Sequence, residues 1–265
     1  MKSRFQKLID RGYSREEILK TCSYNEDDLF KVSNIIFAKL SKDCFSSNNP
    51  KAVFIGGQPG CGKSFKANEI KNKDINNVLI NIDDYRIYHP NYNKIEKLII
   101  KHWINKEETE NDSPGNDLAD MTTDFAGEIS DAIMQYAIDN NYNLIVEWGM
   151  RSPEEPLKAL KKLKDNHYQN SILFIATNPI DSYKNCTDRN KIVIYGNHII
   201  RNIPKRFHDE CVKSLPNSIN KIWIDGKDLF YEFTIIKIDG TIIWDKTSLN
   251  LPGDIFEDFV NQHFD

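Results

Sequence analysis

The chain has 265 residues, the length of one large domain or one domain with a small appendage, and its 40% apolar and 11% aromatic content fills a sizeable core. Collagen-like, mucin-like and wholly disordered chains are excluded, and no run approaches the roughly 20 apolar residues that a membrane span needs. With 35 Lys and Arg against 39 Asp and Glu, a net charge of −4 supplies no general field toward nucleic acid.

The opening residues MKSRFQKLIDRGYSREE hold no apolar signal core, so a soluble, cytoplasmic protein is expected. Five scattered cysteines, Cys22, Cys44, Cys61, Cys186 and Cys211, form no C-x-x-C pair and argue for reduced thiols over a zinc or disulfide frame. From Asn25, with Glu26, Asp27 and Asp28 in the first turn, apolar residues recur at Leu29, Val32, Ile36 and Leu40, the spacing of a capped helix. Residues 1–50 are therefore read as a helical segment packed on the core, ending in the loop Ser46-Ser47-Asn48-Asn49-Pro50, and residues 51–265 as the main domain. Short buried runs at 52–55, 78–82, 144–146 and 172–176 alternate with helical stretches at 95–103, 118–136 and 156–163. That alternation predicts an α/β fold, a mostly parallel sheet flanked by helices. The polar stretch 105–117, with its Pro114-Gly115, reads as a mobile surface loop. Near the end, Asp239-Gly240 separates two β-type runs in FTIIKIDGTIIW, which predicts a tight hairpin added antiparallel to the sheet edge.

The segment AVFIGGQPGCGKS fits G-x-x-x-x-G-K-[ST] without a mismatch as Gly57-Gln58-Pro59-Gly60-Cys61-Gly62-Lys63-Ser64. An apolar strand leads in, and a helical pattern starting at Phe65 leads out. Glycines let the backbone approach phosphate oxygens and turn its N–H groups inward. With a helix N-terminus behind it, the stretch from Gly57 to Phe65 is the expected nucleotide site. Lys63 reaches the outer phosphates of ATP, and the Ser64 hydroxyl ligates Mg²⁺. A glycine-rich turn without a ligand is the alternative, and the full motif in its confirming context opposes it. Cys61 is small enough to be a space-filler; an activated thiol at a helix N-terminus is the other reading.

Such loops serve kinases, motor ATPases, GTPases and helicases alike. The guanine motif N-K-x-D is missing, because Asn190-Lys191-Ile192-Val193 lacks the Asp, and no D-E pair follows a late strand. After the second strand run comes Asp83-Asp84. An acidic residue at the C-terminal end of a parallel strand lies beside the phosphate site, so Asp83 is placed to take a proton from an acceptor hydroxyl. Asp84 fits a helix N-cap. Glu147 ends the third strand run, with Arg151 shortly after. It is placed to bind acceptor hydroxyls, or the metal through water, with a solvated strand end as the alternative for both residues. Downstream, Lys184, Arg189, Lys191, Arg201, Lys205 and Arg206 surround one acid, Asp188. Such a cluster is ordinarily a solvated face; in a phosphoryl-transfer protein it fits a closing lid, whose arginines are worth about 10³–10⁵ in rate.

In this order the motifs resemble the zeta toxins of bacterial toxin–antitoxin systems, P-loop kinases that phosphorylate UDP-N-acetylglucosamine. The resemblance spans roughly residues 52–244. It rests on F-x-G-G-Q-P-G-x-G-K-S at 54–64, D-x-[FY]-[RK]-x-x-H-P-x-[YF] at 83–92, Y-N-L-I-x-E at 142–147 and the two lid arginines. It implies an ATP- and Mg²⁺-dependent kinase that transfers the γ-phosphoryl group to a hydroxyl of a small molecule, foremost a nucleotide sugar. It also implies a proteinaceous antitoxin that obstructs the nucleotide site. Asp83 aligns with the family's proposed base, and Arg189 and Arg201 resemble the arginines that clamp the transferred phosphate. Arg86, Asp131, Glu147 and Arg151 fall on the acceptor side, Asp131 where a longer Glu is usual. The tract HDECVKSLPNSI from His208 resembles the helix after the lid. One departure stands beside the expected acceptor pocket: E-G-T-x-R is here Glu147-Trp148-Gly149-Met150-Arg151, which adds an indole and removes a hydroxyl. A kinase for a nucleic-acid end or another metabolite, and a nucleotide-dependent module docking a partner through its first 45 residues, are the other readings. The acidic balance argues against long nucleic acid.

Overall fold

In the computed structural model, which describes residues 3–104, 106, 113–191 and 203–262, three capped helices precede the first strand: α1 (Arg4–Asp10), α2 (Arg15–Cys22) and α3 (Glu26–Leu40). The Ser3 and Ser14 hydroxyls accept from the backbone N–H groups of Gln6 and Glu17. Asn25 and Asp28 cap α3 reciprocally, each side chain accepting from the other's backbone N–H. Then follow β1 (Lys51–Gly56), α4 (Lys63–Lys73), β2 (Val78–Asn81), a 3₁₀ helix (Ile82–Tyr88), α5 (Tyr92–Trp103) and α6 (Pro114–Asp139). The chain continues through β3 (Leu144–Glu147), α7 (Glu154–Asp165), β4 (Gln169–Ala176), α8 (Pro179–Lys191), α9 (Lys205–Gly226), β5 (Glu232–Lys237), β6 (Ile242–Asp245) and α10 (Pro252–Asn261).

The six strands form one sheet in the order β2-β3-β1-β4-β5-β6. All neighbours run parallel except β6, which pairs antiparallel with β5 through the expected hairpin. Its turn uses Gly240 at φ +91°, and Asp239 accepts from the Thr241 N–H. Successive side chains of β1 point to opposite faces, so Phe54 joins the larger core with Phe125 of α6, Phe174 and Phe233. Ile55 joins Ile145, Ile175, Ile236 and Ala67 of α4 on the other face. A strand buried on both sides has to be apolar throughout, which is why AVFI carried no alternation. Among the described residues no helix is long and apolar enough to cross a membrane.

The expected loop at 105–117 is corrected at its C-terminal end. Ser113 caps α6 by accepting from the Asn116 N–H, and Pro114 takes the first helical turn, where a missing N–H costs nothing. Asp117 is fully buried; its carboxylate accepts from Tyr13 Oη (2.6 Å), Trp103 Nε1 (2.7 Å) and Arg11 (2.7 Å). Residues 105 and 107–112 of that stretch lie outside the described residues. Around this pin, Leu8, Tyr13 and Ile18 pack with Ile95, Ile99, Leu118 and Met121, which seats α1 and α2 on α5 and α6.

Candidate active site

Strand β1 delivers the chain into the glycine-rich loop, and α4 begins at Lys63. Gly60 has φ +76°, and a Cβ there would lie 1.9 Å from the Ser182 carbonyl oxygen. Gly62 has φ +99°, and its Cβ would overlap Ile238 in the β5–β6 turn. The loop thus occupies a left-handed path with no room for side chains, which fits a cradle built from backbone N–H groups. Lys63 Nζ donates to the carbonyl oxygens of Gly57 and Gln58, both at 2.9 Å. The Gln58 side chain is buried away from solvent, and Phe65 is 65% exposed. Cys61 is buried, and burial pushes its thiol pKa up despite Lys63 beside it, so it fills space and is not an activated thiolate.

Glu147 connects this loop to Asp83. The Ser64 hydroxyl donates to Glu147 Oε1 at 2.8 Å, and Asn81 Nδ2 donates to Oε2 at 3.2 Å. Asn81 Oδ1 in turn accepts from the Asp83 N–H at 3.1 Å and caps the 3₁₀ helix, the role the sequence offered to Asp84. The register explains the juxtaposition: Glu147 pairs with Ile55 on one side and Asn81 on the other, so all these groups meet at the C-terminal edge of three adjacent strands. Sequence reasoning missed Asn81. Its only local signal is that Asn is a capping residue two positions before the first Asp.

The Asp83 carboxylate is oriented by Arg86, whose Nε donates to it at 3.0 Å. One arm of that guanidinium is held by α6: Nη1 donates to the Ala119 carbonyl and to the hydroxyls of Thr122 and Thr123. Arg86 is 11% exposed and Asp83 42%, so the carboxylate faces solvent while its partner is anchored beneath. Burial, with Arg4 nearby, pulls the Arg86 pKa down to about 10, which leaves it cationic at neutral pH.

Two residues expected on the acceptor side, Arg151 and Asp131, and the departure at Trp148 have the following neighbours. Arg151 lies over the Phe207 ring of α9 at 5.1 Å. Asp131 is exposed on α6, where its charged neighbours are Lys158 and Lys162 of α7 with Glu155 and Glu128. Trp148 continues β3, its N–H donating to the Ile55 carbonyl, and its indole packs against the main core. Arg189 belongs to α8, but its side chain, like Arg201 entirely, lies outside the described residues.

The model of the family described as Zeta toxin matches residues 37–248. Toxin PezT of Streptococcus pneumoniae serotype 4 (strain ATCC BAA-334 / TIGR4) is 27% identical over 225 residues, covering 83% of this chain and 82% of that protein. Toxin zeta of Streptococcus agalactiae is 26% identical over 217 residues, covering 81% and 69%. A solved structure of the PezAT chromosomal toxin–antitoxin system of S. pneumoniae superposes with a TM-score of 0.73 at 25% identity, covering 89% of each chain.

Proposed function

This chain belongs to the zeta toxin family, and on that premise we propose that it is an ATP- and Mg²⁺-dependent kinase that phosphorylates a hydroxyl of a small molecule, foremost a nucleotide sugar such as UDP-N-acetylglucosamine. The observation that carries the reading is the unbroken run from Ser64 through Glu147 and Asn81 to Asp83, which ties a solvent-facing carboxylate to the phosphate loop. In this reading the backbone N–H groups of Gly60, Gly62 and Lys63 bind the β- and γ-phosphates. The Lys63 ammonium exchanges the Gly57 and Gln58 carbonyls for phosphate oxygens. Ser64 and Glu147 are hard oxygen donors 2.8 Å apart, a pair suited to Mg²⁺, whose remaining ligands come from phosphate and water. When bound, that ion supplies charge neutralisation across the phosphates.

Asp83 accepts the proton of the acceptor hydroxyl and holds its oxygen in line with the γ-phosphorus. Arg86 serves as the anchor of Asp83, with Nε on its carboxylate and Nη1 held by α6. Arg189 and Arg201 are assigned to the departing and transferred phosphate oxygens. The departure Glu147-Trp148-Gly149-Met150-Arg151 from the family's E-G-T-x-R makes acceptor choice the property most apt to differ from the relatives. A proteinaceous antitoxin and a cytoplasmic site of action belong to the same proposal, the partner supported by the likeness to a toxin–antitoxin system. Incubation with γ-labelled ATP and a panel of nucleotide sugars tests it. Label on a sugar hydroxyl is the expected outcome; ATP binding without transfer to any of them refutes the substrate class.

A further inference from the structure

A second polar network starts from the Gln58 side chain. Its Nε2 donates to the Thr177 carbonyl at 2.6 Å and to Ser182 Oγ at 3.4 Å. Ser182 Oγ lies 2.8 Å from His208 Nε2, and His208 Nδ1 lies 3.3 Å from Asp209 Oδ1. Asp209 is held at the surface by Lys205 Nζ at 2.7 Å. Gln58, Ser182 and His208 are all wholly buried.

The direction of the relay follows from which atoms can donate. A carboxylate only accepts, so the neutral imidazole carries its proton on Nδ1, and burial holds the His208 pKa below its ordinary value. Nε2 is then an acceptor of the Ser182 hydroxyl hydrogen, for which the only competitor among the described residues is the Pro179 carbonyl at 3.2 Å. Ser182 accepts from Gln58. A carbonyl at Thr177 fixes the Gln58 amide with nitrogen toward it, which leaves Gln58 Oε1 buried without a partner among the described residues. Ser, His and Asp in sequence also make a hydrolytic triad, but a wholly buried Ser182 is closed to any substrate.

We infer that Gln58, Ser182 and His208 are positioning residues, a buried relay that fixes the phosphate loop to α8 and α9. Two neighbouring bonds show what the relay maintains. Asn185 Nδ2 donates to the Gly60 carbonyl at 3.0 Å, and Thr177 Oγ1 donates to the Cys61 carbonyl at 3.1 Å. In a trans peptide the C=O and the following N–H point in opposite directions. Drawing the carbonyls of residues 60 and 61 toward the β4–α8 junction therefore turns the N–H groups of Cys61 and Gly62 to the other side, where the Cys61 N–H closes a turn on the Gln58 carbonyl at 3.3 Å and the Gly62 N–H is directed to the cradle. Ser182 sits at the centre of that junction: its backbone oxygen limits Gly60, and its hydroxyl joins Gln58 to α9. Without the relay no nucleotide contact is deleted, but the loop loses the restraint that pre-forms it.

The inference rests on the nucleotide-binding part of the proposed function, and the test separates the two. The Kd of a fluorescent ATP analogue with Mg²⁺ is measured for the full chain and for Ser182→Ala, His208→Asn and His208→Gln, with Tm measured alongside. A glutamine amide reaches the place of imidazole Nε2 and can accept from Ser182, whereas an asparagine amide reaches only the place of Nδ1. Weakening of about tenfold, or 1.4 kcal/mol, is expected in Ser182→Ala and His208→Asn, with His208→Gln restored to within about threefold. Equal Kd values in the two histidine variants, or wild-type affinity in Ser182→Ala, overturn the relay. A wild-type chain that binds no nucleotide overturns the proposed function itself.

Discussion

At the scale of single residues, the site depends on side chains whose roles are set by what lies behind them. Gly60→Ala would put a Cβ against the Ser182 carbonyl at a φ that L residues avoid, so nucleotide binding should be lost while far-UV circular dichroism is retained. Glu147→Gln keeps a hydrogen-bonding shape but removes the charge shared by Ser64 and Asn81. The Mg²⁺ concentration for half-maximal transfer should rise by about 10–100-fold, as measured by Mg²⁺ titration at saturating ATP. The phosphate loop was legible from sequence because its motif dictates backbone conformation directly. Asn81 and the anchoring of Arg86 were not, because Asn81 meets Glu147 only through strand register and Arg86 meets Thr122 and Thr123 only once α6 is folded against the 3₁₀ helix.

Among elements, the N-terminal helices show how a buried carboxylate seats an appendage. The family match begins at residue 37, so α1, α2 and the first part of α3 precede it. Asp117 holds the appendage through Arg11, Tyr13 and Trp103. Asp117→Ala leaves the Tyr13 and Trp103 donors facing an apolar gap, while Arg11 keeps Asp120 at 2.9 Å; stability to urea should fall by about 2 kcal/mol. Tyr13→Phe removes one donor and should cost only about 1 kcal/mol. The cap at Asn25 was readable, since Asn followed by an acidic turn is a local signal. The start of α6 was misread because Pro-Gly marks turns as well as helix starts, and a lone Asp117 in a polar stretch carries no sign of burial.

For the molecule as a whole, the parallel sheet and its hairpin were legible because buried parallel strands read as continuous apolar runs and Asp-Gly reads as a turn, whereas the order β2-β3-β1-β4-β5-β6 is set by crossovers that leave no local signal. The coupling of the phosphate loop to α8 and α9 was not, since it joins residues 124 and 26 positions apart. The buried histidines also give a pH signature. Burial lowers the pKa of His208, outweighing Asp209, which favours the cation, while Lys205 opposes it; burial lowers His89 likewise against Asp28. Below about pH 6.5 the unfolded chain binds protons that the fold resists, so stability should decline as pH falls from 7 toward 5. His208→Gln should flatten that decline in Tm measured across the range, and an unchanged slope would exclude His208 as a contributor.

The most direct test of the central claim is single-turnover phosphoryl transfer by Asp83→Asn, with ATP affinity measured on the same protein. Because Asp83 is assigned to the acceptor proton and the phosphate loop to the nucleotide, the account predicts transfer slowed by about 10²–10⁴-fold with ATP Kd within about twofold of wild type. Transfer at the wild-type rate would contradict it.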